Sequence, residues 1–177
     1  MRNGKRVGSA ASRGMAAVLL ALALGVAGCA RRSAIPPAEA RPFDEHGVAE
    51  QDIAVALREA QTTRRRVLLV FGANWCGDSR AMYGRLTADP VVAPVVRDHY
   101  VMALVDVGPR HGPKWDAAVV QQYGRPFAGR GIPALVVLDA DGRQLTTQAS
   151  NPLRDSDHRH RRKVRRFLEA WVAPVAR

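Results

Sequence analysis

The 177-residue chain is 47% hydrophobic and carries a formal net charge of +11. That length suits one domain with extensions, and the apolar content supports a core while excluding a multi-span membrane protein. The only cysteines are Cys29 and Cys76, so at most one bridge can form and a disulfide-stapled scaffold is excluded.

Taken in chain order, Arg2, Lys5, Arg6 and Arg13 precede an apolar run over 15–26. A basic stretch followed by such a run has the form of an export leader. It is short of the ~20 residues of a membrane-spanning helix. It ends in Val26-Ala27-Gly28-Cys29, which resembles the lipobox of bacterial lipoproteins. The resemblance implies a signal peptide over 1–28, cleavage before Cys29 and acylation of its sulfur, palmitate included. An ordinary secretory signal with a coincidental cysteine is the alternative. Removing the leader takes away four basic residues and no acid, which leaves +7 of the +11. Two or more acyl chains, at ~0.8 kcal/mol per buried methylene, hold such a protein on a membrane. Ala30 and Arg31 follow the cysteine, which by the same resemblance implies the outer membrane, facing the periplasm. Residues 30–45 are rich in Pro and Ala without an apolar period, so 29–46 is expected to be a flexible linker.

The remainder, 47–175, alternates in type. Ile53, Ala56, Leu57 and Ala60 recur at helical spacing and predict a helix over 48–64. The apolar run 67–71 predicts a strand covered on both faces, followed by a helix over 76–86. Asp89-Pro90 resembles an N-cap with proline at the first helical position and predicts a short helix through 95. A strand is expected over 100–107. A helix over 114–123 would place Trp115, Ala118, Val119 and Gln122 on one side. A third strand is expected over 134–138, and the Asp141-Gly142 turn leads into a fourth over 144–148. The last helix, 156–172, places Val164, Phe167, Leu168, Trp171 and Val172 on one face. The order α-β-α-(α)-β-α-β-β-α predicts an α/β class with helices on both faces of a mixed sheet of four to five strands.

The chemistry concentrates at the first strand-to-helix junction, Trp75-Cys76-Gly77-Asp78-Ser79-Arg80. A cysteine at a helix N-terminus meets unpaired N–H groups and the positive end of the dipole, both of which favour a thiolate. The thiolate is the nucleophile. Gly77 permits tight backbone near the sulfur, the Ser79 hydroxyl could donate to it, Arg80 adds positive charge and Asp78 opposes both.

The segment 71–77, Phe-Gly-Ala-Asn-Trp-Cys-Gly, is similar to the entry into the active site of the thioredoxin superfamily. A second stretch, Gly131-Ile132-Pro133 followed by the apolar run 134–138, resembles the family's cis-proline loop and following strand. The resemblance covers 48–172 and implies a thioredoxin-like fold. It implies that Pro133 is cis and lies against Cys76, that Ile132 binds partner backbone, and that Trp75, Gly77 and Asp78 shape the partner groove. The departures are equally informative. Ser79 stands where the family has its resolving cysteine. Val70 stands where many members have a buried acid that serves that cysteine. The chain therefore resembles thioredoxin-like lipoproteins with Cys-x-x-Ser rather than thioredoxin itself.

A single thiol cannot store two redox equivalents internally. It can form a mixed disulfide with a protein or glutathione disulfide, which another thiol then releases. Monothiol exchange through Cys76, with Ser79 assisting, is the leading expectation. It would be isomerase-like or deglutathionylating, not a dithiol reductase. A non-catalytic binding or assembly module of the envelope is the alternative. No cofactor is implied. His158 and His160 sit among Arg159, Arg161, Arg162 and Lys163, a poor setting for a metal cation, and an exported chain is not expected to meet nucleic acid. The basic run is expected to be a solvated helix face, with anionic lipid or envelope polyanions as the other reading. Neither His99 nor His111 has a spacing that ties it to Cys76.

Overall fold

The computed structural model describes residues 40–111, 117–126, 131–147, 153 and 160–174. The leader, Cys29, the linker up to 39, Trp115 and His158 lie outside the described residues. The elements are α1 (Ala49–Thr63), β1 (Arg66–Gly72), α2 (Gly77–Ala88), α3 (Ala93–His99), β2 (Tyr100–Asp106), α4 (Ala117–Gln122), β3 (Ala134–Leu138) and α5 (Arg161–Ala170).

β1 is the central strand. It pairs parallel with β2, from Arg66 opposite Tyr100 to Gly72 opposite Asp106. On its other edge it pairs antiparallel with β3, Phe71 lying opposite Ala134. The period of two then divides its side chains between two layers. Val67, Leu69 and Phe71 pack with α1 and α4, through Ile53, Ala56, Ala60, Val119 and Tyr123. Leu68 and Val70 pack with α2, α3 and α5, through Met82, Leu86, Val96, Val164 and Phe167. Both faces are covered, so every residue from Val67 to Gly72 is buried. This is why the run is apolar without alternation. The Tyr100 hydroxyl donates to the Leu168 carbonyl at 2.6 Å, and the Arg66 guanidinium donates to the Trp171 carbonyl. Together they fasten α5 to the start of the sheet.

Three expectations are corrected. Among the described residues the sheet has three strands, in the order β2-β1-β3, rather than four to five. Beyond the hairpin only an isolated bridge, Leu138 to Gln144, continues the pairing among the described residues. The Leu145 amide does reach the Val137 carbonyl at 2.8 Å. The returning Val137 amide, however, bonds the Thr146 hydroxyl at 2.9 Å, and the Gln144 side chain takes the Thr146 carbonyl at 2.6 Å. Side chains thus occupy the partners that a fourth ladder needs. Second, the short helix starts at Ala93, not Pro90, and Pro94 occupies its first turn. The Asp89 carboxylate accepts the Val91 amide at 2.9 Å, and this local turn displaces the helix start. Third, α4 buries Val119, with Tyr123 just beyond its end, and exposes Ala118 and Gln122. Phe71 meets the Tyr123 ring edge-on at 6.3 Å, an arrangement worth ~1 kcal/mol beyond area burial.

The packed chain begins inside the segment expected to be linker. Phe43 is 2% exposed and belongs to the same core layer as Met82 and Phe167.

Candidate functional site

The C-terminal ends of the parallel strands β1 and β2 lie side by side, and the chain leaving β1 turns into α2 there. Cys76 is the N-cap of α2, with extended backbone (φ −91°, ψ 113°). Its amide bonds the Ala73 carbonyl at 3.1 Å, and its carbonyl accepts the Arg80 amide at 3.2 Å. Cys76 therefore stands at the end of α2 where the first N–H groups are unpaired, although its side chain makes no capping hydrogen bond. Cys76 is half-buried and carries a free thiol.

The Ile132–Pro133 peptide is cis, and Pro133 is buried. The Cys76 thiol faces the Ile132 carbonyl at 3.6 Å. Two segments 56 residues apart thus meet at one sulfur. Gly131 has φ +78°, a left-handed conformation that glycine adopts without a Cβ clash, and it turns the chain into the cis bond.

Trp75 is 42% exposed. Its indole N–H donates to the Gly108 carbonyl at 2.7 Å, and the Arg110 guanidinium lies 5.5 Å from the ring centroid. That is cation–π range. Trp75, Asp106, Gly108, Pro109 and Arg110, with Glu45 and His46, line a groove of about 300 Å³ that Cys76 itself does not line. A Cβ at Gly77 would meet nothing within 4 Å. Tight packing is therefore not why a glycine stands here; it leaves the approach to the sulfur open. Asp78 is half-buried in the first turn of α2.

Ser79 is placed differently from the expectation that its hydroxyl donates to Cys76. It is fully buried, and its hydroxyl makes no hydrogen bond among the described residues. It points beneath the helix, where its Cβ lies 3.0 Å from the position a Gly72 Cβ would take. Val70 is likewise fully buried, within the apolar layer. Arg80 donates to the Asn74 carbonyl, so its guanidinium braces the turn that carries Trp75 and Cys76.

Phe43 and Asn74 were missed by sequence reasoning. Asn74 is 2% exposed. Its side-chain oxygen accepts the Phe43 amide at 3.0 Å, and its amide group donates to the Phe43 carbonyl at 2.7 Å and to Glu45 at 3.0 Å. The Asn74 hydrogen bond, opposed by burial and aided by the charge and hydrogen bond of Arg41, holds the Glu45 carboxyl below its ordinary value. The Phe43 ring covers Gly72, where a Cβ would come within 2.3 Å of the ring. The available signal was a lone large aromatic in a Pro/Ala stretch and a polar residue ending an apolar run. Among the described residues no group of three or more His, Cys, Asp or Glu gathers as a metal site. No helix among them is long and apolar enough to cross a membrane.

Comparison with known proteins follows the same geometry. The Thioredoxin-like family matches residues 48–140. The crystal structure of a disulphide isomerase from Xylella fastidiosa Temecula1 is 30% identical, covers 74% of this chain and 96% of its own, and superposes with a TM-score of 0.64. A structure titled DsbH Oxidoreductase is 24% identical over 76% of this chain and 90% of its own, with a TM-score of 0.42. No protein of curated function matches the chain. With a helix-capping cysteine facing a cis-proline loop, and with that match over more than half its length, the chain belongs to the thioredoxin-like family.

Proposed function

We propose that this protein carries out thiol–disulfide exchange as a monothiol, through Cys76, at the bacterial cell envelope. The observation that carries the reading is the Cys76 sulfur itself. It caps α2, is half-exposed, and faces the carbonyl before cis-Pro133 at 3.6 Å. The identity to a disulphide isomerase over nearly all of that protein's length supports the same class of chemistry.

The steps balance without a cofactor. The Cys76 thiolate attacks one sulfur of a partner disulfide, forms a new S–S bond and expels the other sulfur as thiolate. The helix N-terminus favours the attacking anion. The cis-proline loop and the Trp75 groove offer backbone and an aromatic face to the partner chain. With Ser79 in place of a thiol, the mixed disulfide is cleaved by a second thiol, from the partner or from glutathione. The partner's disulfide is rearranged or transferred, and Cys76 is returned. No net electrons remain on the protein, which suits isomerisation or deglutathionylation rather than two-electron reduction.

The test is adduct formation. With glutathione disulfide or a disulfide-bearing peptide, the purified chain should form adducts that disappear with dithiothreitol and are absent from Cys76→Ser. Adducts that persist in Cys76→Ser would sink the reading and leave a binding module. The envelope half of the proposal rests on the lipobox-like Val26-Ala27-Gly28-Cys29. After a high-salt wash, which strips purely ionic membrane contacts, Cys29→Ser should appear in the soluble fraction while the wild type stays on the membrane, and equal retention of the two would refute the anchor.

A further inference from the structure

We infer that the arginine face of α5 binds anionic phospholipid headgroups and sets the domain on the membrane with Cys76 facing away from it. The inference rests on the envelope location proposed above and is independent of the chemistry of Cys76.

Arg161, Arg162, Arg165 and Arg166, with Glu169 and Val91, line an open groove of about 400 Å³. All four arginines are exposed. Among the described residues Glu169 is the only carboxylate on that groove, and it pairs with Arg165 at 2.7 Å. Even with the acids just before the helix, residues 154–170 hold seven arginines and lysines against three acids.

This charge opposes the helix that bears it. Arg161 and Arg165, and Arg162 and Arg166, are like charges at i,i+4, a spacing that destabilises a helix. The first turn of α5 has no acid, and cations there oppose the helix dipole. An anion in the groove relieves both. Guanidinium forks bind phosphate oxygens in pairs. Four of them along an open face suit a surface of many phosphates better than one enclosed ion.

The position gives the orientation. Val91 lies three residues past the end of α2, whose other end is capped by Cys76. The 12 residues of α2 separate groove and sulfur by roughly 18 Å. A domain resting on its arginine face would present Cys76 to partners in the aqueous space.

The test uses the full-length chain with vesicles of phosphatidylcholine alone or mixed with phosphatidylglycerol. Replacing all four arginines by glutamine should lower partition into phosphatidylglycerol vesicles about a thousandfold, with little change on phosphatidylcholine alone. The fourfold Arg→Lys chain should stay within a few-fold of wild type, and circular dichroism should confirm that both variants are folded. Equal partition of wild type and the glutamine variant would overturn the proposal. So would saturable binding of inorganic phosphate without any preference for phosphatidylglycerol, which assigns the groove to a soluble phosphate. Cys76 adducts, measured on the same glutamine variant, should be unchanged. A failure of the exchange reading or of the Cys29 anchor is therefore seen separately from a failure of the arginine face.

Discussion

Helix α2 is finished in opposite ways at its two ends. At the C-terminal end everything is local. Asp89 is 3% exposed, accepts the Val91 amide and pairs with Arg85, while its carbonyl takes the Val92 and Ala93 amides. At the N-terminal end everything is borrowed. Cys76 faces Ile132, Trp75 bonds Gly108, and Asn74 and Gly72 are covered by Phe43. The local end stabilises the helix without reference to the rest of the chain. The borrowed end fixes a sulfur between segments that meet only when the whole domain is folded.

Perturbing that contrast gives separable outcomes. The largest effect is expected from Phe43→Ala, which empties a buried site over Gly72 and should cost about 3 kcal/mol in a denaturant titration. It should also slow adduct formation per folded molecule, because the ring that covers Gly72 and seats the backbone of residue 43 against Asn74 is gone. An unchanged rate would show that the borrowed contacts serve stability alone. Next comes Asp89→Ala, at about 2 kcal/mol for a buried carboxylate that bonds an amide and a guanidinium, with the exchange rate of the folded protein unchanged. Burial pushes the Asp89 carboxyl up, but the Val91 amide and Arg85 more than offset this and hold it below its ordinary value. The ionised group's stabilisation is therefore fully present above the unfolded value of roughly 4. It is lost as pH falls through the lower folded value. The melting temperature of the wild type should drop over that acid range, and that of Asp89→Ala should drop less. The smallest effect on stability belongs to Gly77→Ala, less than about 1 kcal/mol and in the stabilising direction, since alanine is the better helix former. Its test is the adduct rate, which should fall as a methyl enters the open approach to Cys76. No change would mean that partners do not pass over residue 77.

Much of the architecture was legible in the sequence because its signals are local. The uninterrupted run 67–71 marked a strand covered on both faces, and the resemblance of Gly131-Ile132-Pro133 to the family's cis-proline loop implied the segment that meets Cys76. Side chains that substitute for backbone were not legible. Thr146 and Gln144 take up the bonds of a fourth strand, and Asp89 postpones a helix that Pro90 seemed to open. A composition-based boundary could not see that Phe43, alone among prolines and alanines, reaches the core. Nor could it see that Ser79 turns inward, because one residue of a helix N-terminus can face either the sulfur or the sheet. Tertiary packing decides between them.

The pairing of Phe43 with Asn74 also has a mechanical side. Phe43 is the first buried residue of the described chain, and both of its backbone polar groups are held by one side chain two positions before Cys76. Tension applied through the N-terminal segment is delivered to that amide clamp before it reaches α1 or the sheet. The first joint to give under load would be the one adjoining the sulfur, which makes the segment ahead of the domain a lever on the turn that holds Cys76.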